Sequence, residues 1–503
     1  MNLLKAIAAF CAVLVFSGSA PAAEPPQPDI LLIVPDQMRG DCLSVVGHPA
    51  VRTPNLDRLA AQGALFRRAY STVPSCIPAR YALLTGLFPQ TSGVVGYRNK
   101  PIRCPTMPQL LSGAGYRSVL VGRTMHQVPP NEAYGYEKWV RGSTYVDDDD
   151  YDRRLKEIVP ASGGIRQLIK TLGASYNGWD AKPWPLADEL HPTAWVTGEA
   201  RKALAESAPA RPLFLTASYY APHPPLVPPR RFFESCLGRE LPAPAHGQWV
   251  RWNDLPRARQ GGETHRVLLE GDMLRNAQAG YFGAIEHLDE QIGLLIGEFQ
   301  ARSDKNGRPW LIVFTSDHGE MLGDHGFFRK CEPYEGAANI PLILAGSPAL
   351  AFRPGTRSLQ PVCLEDILPT LLDVAGAAKP TGLDGVSLAP LARGREQAVR
   401  PWLHSEHAPC YGKAQAFHAL TDGRWKYIWR PLDGSEQLFD LQQDPREERD
   451  LSQVAERAQD LERWRKTLVE RLAGRPEGFS DGRRLIAGRD YPPLMNRGKQ
   501  DKQ

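Results

Sequence analysis

The sequence predicts an α/β protein, with a mostly parallel central sheet flanked by helices and a smaller C-terminal α+β domain. Three observations carry this. Short continuous apolar runs, Asp29–Val34, Tyr116–Val121, Leu213–Ser218, Trp310–Thr315 and Pro341–Ala345, read as strands buried on both faces. Helical patterns separate these runs, the alternation that parallel sheets require. Beyond about residue 398 the texture changes to short strands at Trp425–Trp429 and Gln437–Leu441, followed by a charged helix over Val454–Leu472.

Each element has a local signature. The first run, Ile30 to Val34, is bounded by Asp29 and Asp36. A helix follows, with Thr53 as N-cap, Pro54 at its first position and Gly63 past its end. Pro108–Ala114 forms a short helix stopped by Gly115. The last thirty residues, rich in Arg, Gly, Pro and Lys, read as an irregular tail extended over the surface. Polar residues collect where strands end: Asp36, then Arg123 and His126, then His223, then Asp317 and His318. Ligands of open α/β sheets bind beyond the carboxyl ends of the strands, so these positions predict a site.

Of 503 residues, 42% are hydrophobic, and the net charge is +4. No basic block dominates, which argues against a nucleic-acid binder. Lys5, the apolar run Ala6–Phe16 and the small residues to Ala23 read as a secretory signal over residues 1–23. That run is too short for a confident membrane span. The expectation is an exported protein, periplasmic or secreted, with no stable membrane insertion. Of eight cysteines, Cys11 leaves with the signal. No CxxC pair or zinc spacing occurs among the rest.

The most informative stretch is Cys76-Ile77-Pro78-Ala79-Arg80, closed by Leu84-Thr85-Gly86. Pro78 suits a first helical position, which puts Cys76 at a helix N-terminus, where free N–H groups favour an anion. Arg80 follows one turn later. The bland reading is a structural cysteine in a loop-to-helix turn.

Cys-x-Pro-x-Arg with Leu84-x-Gly86 resembles the sulfatase signature. Further landmarks follow in family order: Thr53-Pro54-Asn55-Leu56-Asp57, Thr315-Ser316-Asp317-His318-Gly319, Gly323-Asp324-His325-Gly326, Pro369-Thr370-Leu371-Leu372, Gly385-Val386-Ser387-Leu388 and Leu438-Phe439-Asp440-Leu441. The resemblance covers nearly the whole mature chain. It implies an alkaline-phosphatase-like fold, a catalytic domain over 24–398 and a C-terminal subdomain over 399–503.

It also implies a mechanism. Cys76 would be converted to formylglycine by a maturation enzyme, and its hydrated aldehyde would be the nucleophile. That conversion would leave six cysteines to pair as disulfides. Asp36, Gln37, Asp317, His318 and the modified Cys76 would hold a divalent cation, Ca²⁺ with Mn²⁺ as the alternative. Gln37 stands where most sulfatases have a second aspartate; an Asp-Gln pair is similar to the phosphonate monoester and phosphodiester hydrolase branch and to choline-sulfatase-like members. Arg80, Arg123 and Lys330 would bind sulfate, with arginine at 123 where lysine is usual. His223 or Lys330 would protonate the leaving alcohol, and His126 would take the proton that expels sulfate. The expected substrate is a sulfated small molecule or oligosaccharide; the rival is a phosphonate or phosphodiester.

Two further features have ordinary readings beside functional ones. Trp179, Trp184, Tyr219, Tyr220, Trp249 and Trp252 are candidates for a sugar platform, although aromatics more commonly pack a core. The acidic run Asp147–Asp150 reads as a solvated loop.

Overall fold

A computed structural model describes residues 26–124, 131–395 and 398–495. The segment 1–23, expected to be a secretory signal, and His126 lie outside the described residues.

The main sheet is built from β1 (Asp29–Asp36), β2 (Ala64–Phe66), β3 (Arg117–Gly122), β4 (Lys138–Arg141), β5 (Leu213–Pro222), β6 (Trp310–Thr315), β7 (Leu342–Gly346) and β8 (Thr356–Ser358). Their spatial order is β4-β3-β5-β1-β6-β7-β2-β8. Only β7 runs against the others. All eight residues of β1 are buried, so its position is central, and its alternating side chains feed two separate cores. Leu31 and Ile33 face one layer; Ile30, Leu32 and Val34 face the other. Burying each such side chain contributes about 1.5–3 kcal/mol.

Helices cover both faces. A 35-residue helix, Gly271–Lys305, lays Tyr281, Ile285, Leu288, Ile292, Leu295 and Phe299 on the Leu31/Ile33 side. These recur at three- and four-residue spacing, the stripe of an amphipathic helix. On the other side lie the helices Cys76–Thr85 and Met107–Gly113.

The C-terminal part is a four-stranded antiparallel sheet, β9 (Leu403–His407), β10 (Phe417–Thr421), β11 (Trp425–Trp429) and β12 (Glu436–Asp440), in that order. The helix Ala458–Leu472 covers it through Leu461, Trp464, Leu468 and Leu472. Within this core Glu406 is fully buried. Arg475 grips it with both terminal nitrogens, at 3.0 and 2.7 Å, and the Tyr491 hydroxyl also donates to it. His404 and His418 lie beside it, ring nitrogens 3.1 Å apart.

The structure corrects several expectations. The run Pro341–Ala345 forms a strand, but it is the antiparallel one. The helix at the signature starts at Cys76 itself, with Ser75 as N-cap, so Pro78 lies within the first turn. Trp179, Trp184, Tyr219 and Tyr220 are core residues, which removes most of the sugar platform. Asp149 in the acidic run is buried and caps the helix Asp150–Ile158 by accepting from the Asp152 N–H. The described tail is irregular and runs largely exposed over residues 481–490, as expected, but its end packs: Tyr491 and Met495 are buried, and Leu494 pairs with Val94. The described cysteines are free thiols.

The buried charges at Glu406 give a pH prediction. Burial pulls the imidazole of His404 down to about 3 and that of His418 well below its usual value. For Glu406, burial acts upward, but Arg475 and the two histidines overcome it and hold the carboxyl well below its usual range. All three are depressed, so their stabilisation is complete above about pH 6.5 and is lost as pH falls. Thermal melts followed by tryptophan fluorescence are expected to show a midpoint flat from pH 8 to 7 that declines steadily towards pH 4. Arg475→Met should leave Glu406 unpaired and cost about 3–5 kcal/mol.

Candidate active site

Four adjacent strands, β3, β5, β1 and β6, deliver the polar residues to one edge of the sheet. At the end of β3, Gly122 has φ +96°, and a Cβ there would stand 2.0 Å from the Ser218 carbonyl oxygen. Only glycine permits this approach, and it turns Arg123 into the site. At the end of β1 the pairing register slips between Pro35 and Asp36. Gln37 then adopts a left-handed φ of 68°, and its N–H donates to Asp317 Oδ1 at 3.0 Å. A non-glycine residue in that conformation is held by its surroundings, a common feature of functional sites.

Cys76 occupies the first turn of its helix and is 1% exposed. Its Sγ lies 3.1 Å from His318 Nε2, 3.2 Å from Lys330 Nζ and 3.6 Å from Asp36 Oδ1. His318 Nδ1 donates to the Gly319 carbonyl at 2.9 Å, which leaves Nε2 facing Cys76.

Three cations surround this point. Arg80 reaches Asp317 through Nε and Asp36 through Nη2, both at 2.9 Å, and Ser218 Oγ through Nη1 at 3.1 Å. Arg123 pairs with Asp36 and lies over the adjacent rings of Tyr145 and Tyr220, 5.2 Å from each centroid. Lys330 donates to Gln37 Oε1 at 2.7 Å and to His223 Nε2 at 3.0 Å. A lysine only donates, so His223 Nε2 accepts and its Nδ1–H bonds the Pro224 carbonyl at 2.7 Å. Burial, then Lys330, pulls His223 down to about 4. The neutral imidazole therefore orients Lys330. Burial opposes the charge on Lys330, but Cys76 and Asp36 more than reverse it and hold the amine above its usual value.

The carboxylates fit a divalent cation. Asp36, Asp317, His318 and Cys76 offer ligand atoms all within 4.8 Å of one another, in a buried oxygen-rich set with one imidazole. Burial and then repulsion from Asp36 raise Asp317. His318 is raised too, by Asp317 against the effect of burial. These residues attract a positive charge where a metal would sit. Asp36 differs: burial pushes it up, but Arg123 and Arg80 bring it to about 2. Gln37 lies beside this set, with its carbonyl turned to Lys330.

Sequence reasoning missed several contributors. Glu320 is buried and accepts from Gln37 Nε2, which fixes the amide so that its oxygen faces Lys330. Its other oxygen accepts from the N–H groups of Leu322 and Arg329. His407 Nε2 lies 2.7 Å from Ser75 Oγ, next to Cys76. Ser218 and Tyr145 complete the walls, together with Tyr220, one of the aromatic candidates the sequence had offered. Glu320 had a signal, since it directly follows Asp317-His318-Gly319; His407, Ser218 and Tyr145 had none in one sequence.

Comparison with known proteins agrees with this geometry. The sulfatase family profile matches residues 28–377, and the profile for the C-terminal part of N-sulphoglucosamine sulphohydrolase matches 323–474. An arylsulfatase of Clostridium perfringens is 35% identical over 93% of this chain and 98% of its own. A choline-sulfatase of Rhizobium meliloti is 30% identical over 86% of this chain and 83% of its own. Among solved structures, the phosphonate monoester hydrolase of Agrobacterium radiobacter superposes with a TM-score of 0.75, at 26% identity, over 88% of this chain and 95% of its own. The ordered motifs, the strand-end cluster around Cys76 and these matches place the chain in the sulfatase family of the alkaline phosphatase superfamily, as a sulfuric ester hydrolase.

Proposed function

We propose that this exported enzyme hydrolyses sulfate monoesters of carbohydrates, using formylglycine at position 76 and a bound divalent cation, Ca²⁺ or Mn²⁺. The observation that carries the reading is the position of Cys76 Sγ, in contact with Asp36, His318 and Lys330 at once. Asp36, Asp317, His318 and the modified residue 76, whose ligand atoms lie within 4.8 Å of one another, would hold the ion. Formylglycine supplies a hydroxyl nucleophile, and the ion lowers its pKa.

The chain's own residues do the rest. Arg80 and Arg123 present fixed positive charge to the sulfate oxygens in a site closed to water, where such charge acts most strongly. Lys330 carries the proton for the leaving oxygen, and His223, neutral at pH 7, keeps the ammonium aimed. Tyr97, which is 40% exposed, and the half-buried Tyr145 offer ring faces to the alcohol portion of the substrate. Cys76 requires a maturation enzyme as partner.

A phosphonate monoester hydrolase is the second reading. Gln37 in place of aspartate and the Agrobacterium structure favour it. Rates on a sulfate monoester and a phenylphosphonate monoester decide between them: sulfatase function predicts the higher kcat/KM on sulfate, and the reverse order would select the rival.

Four further outcomes are expected. The tryptic peptide Ala69–Arg80 from the native host should show cysteine sulfur replaced by aldehyde oxygen; an unmodified thiol would sink the mechanism. Lys330→Ala should lower kcat on the order of 10²–10⁴-fold, as loss of a general acid does. His223→Ala, which removes only the orienting partner, should cost about 10–100-fold. Gln37→Glu should set a second buried carboxylate against Glu320 and weaken metal binding about 10–100-fold. Adding Glu320→Gln to that variant reverses the hydrogen bond and should restore affinity, measured by metal titration after chelation.

A further inference from the structure

Gln37 keeps its left-handed φ of 68° while Asp317 accepts from its N–H and Glu320 from its side-chain amide. Its carbonyl is held from a different element. Tyr281, on the 35-residue helix Gly271–Lys305, donates its hydroxyl hydrogen to the Gln37 carbonyl at 2.6 Å. The same hydroxyl oxygen accepts from the Arg39 N–H at 3.1 Å. Tyr281 has no exposure, and Gln37 has 1%. The carbonyl of one residue and the N–H two residues on are the groups that close a γ-turn by bonding each other. Here the phenolic oxygen stands between them and keeps that turn open. The Met38 N–H, in the middle of the turn, is taken by Ser316 Oγ at 2.9 Å. Buried tyrosine hydroxyls commonly find a partner, and packing alone accounts for the ring. Packing does not account for both partners lying on one turn. That turn carries the side-chain oxygen that accepts from Lys330 at 2.7 Å.

We propose that Tyr281 is a positioning residue for turnover: its hydroxyl sets the backbone of Gln37, and Gln37 in turn aims the Lys330 ammonium. Without the hydroxyl, the buried Gln37 carbonyl and the half-buried Arg39 N–H both lose their partner, which is unfavourable where water does not reach. Bonding each other satisfies both groups, but it closes the turn and draws the Gln37 amide away from Lys330 and Glu320. The open turn itself does not depend on the sulfatase reading; its effect on turnover rests on the role given to Lys330.

The test is Tyr281→Phe in the full-length enzyme, which deletes one oxygen and keeps the ring. A crystal structure of this variant is expected to show the Arg39 N–H bonded to the Gln37 carbonyl and the Gln37 amide drawn off Lys330. A Gln37 side chain left in place would overturn the proposal, whatever the activity. The kinetic arm uses whichever of a sulfate or a phenylphosphonate monoester the wild type turns over faster. There Tyr281→Phe should lower kcat about tenfold with KM little changed, because Lys330 acts in the transition state. Gln37→Ala should lose as much, and the double variant no more, since both changes break one chain of contacts. Additive losses would make Tyr281 a packing residue and refute the positioning role. Gln37→Ala with wild-type kcat would refute the step from Gln37 to Lys330. Tyr281→4-aminophenylalanine keeps a donor for the Gln37 carbonyl, so it should fold even where the phenylalanine variant does not, and retain most of the wild-type kcat. A folded enzyme as slow as Gln37→Ala would overturn the proposal.

Discussion

A carboxylate with no exposure cannot remain ionised unaided, and the ionised state of Asp36 is what the rest of this site depends on. Burial of an isolated charge costs several kcal/mol. Arg80 and Arg123 offset that cost by approaching Asp36 from a helix on one side and from β3 on the other. To do so, the signature helix must start at Cys76, Gly122 must allow β3 close to β5, and β1 must slip register at Pro35. Asp317 is tied to the same arginine from β6. The network fixes four strand ends relative to one another before any ligand arrives. Arg80, Arg123 and Lys330 gather at one edge of the sheet, where they can meet an anion.

Much of this was legible in the sequence. Continuous apolar runs identified the buried strands, since residues enclosed on both faces leave no polar alternation to read. The residues at the strand ends were legible because each sits beside such a run, and the spacing in Cys76-Ile77-Pro78-Ala79-Arg80 put nucleophile and cation on one helical turn. What stayed hidden depends on distant partners. Glu320 acquires its role from Gln37, 283 residues away, and Ser75 from His407, 332 residues away. The direction of β7 was hidden too, because an apolar run does not record which way it points. Trp179 and Trp184 look equally suited to packing or to sugar binding in sequence, and only their burial decides.

The C-terminal sheet belongs to the site as much as to its own core. The Glu406 N–H bonds the Thr72 carbonyl at 2.9 Å, His407 meets Ser75, and the Ala408 N–H bonds the Val95 carbonyl. The same strand that buries the Glu406–Arg475 pair thus braces the segment leading into Cys76. Acid that weakens the pair acts on the support of Cys76 as well as on the C-terminal core.

The closure of Cys76 also sets an order of events during synthesis. Its side chain is 1% exposed, and the strand that braces its neighbour arrives some 331 residues later in the chain. No other protein can reach that sulfur once the two have met. At ribosomal rates of about 5–20 residues per second, the interval is roughly 20–60 s. Any enzyme that alters this cysteine would therefore need the chain before it folds, and molecules that fold first are beyond its reach.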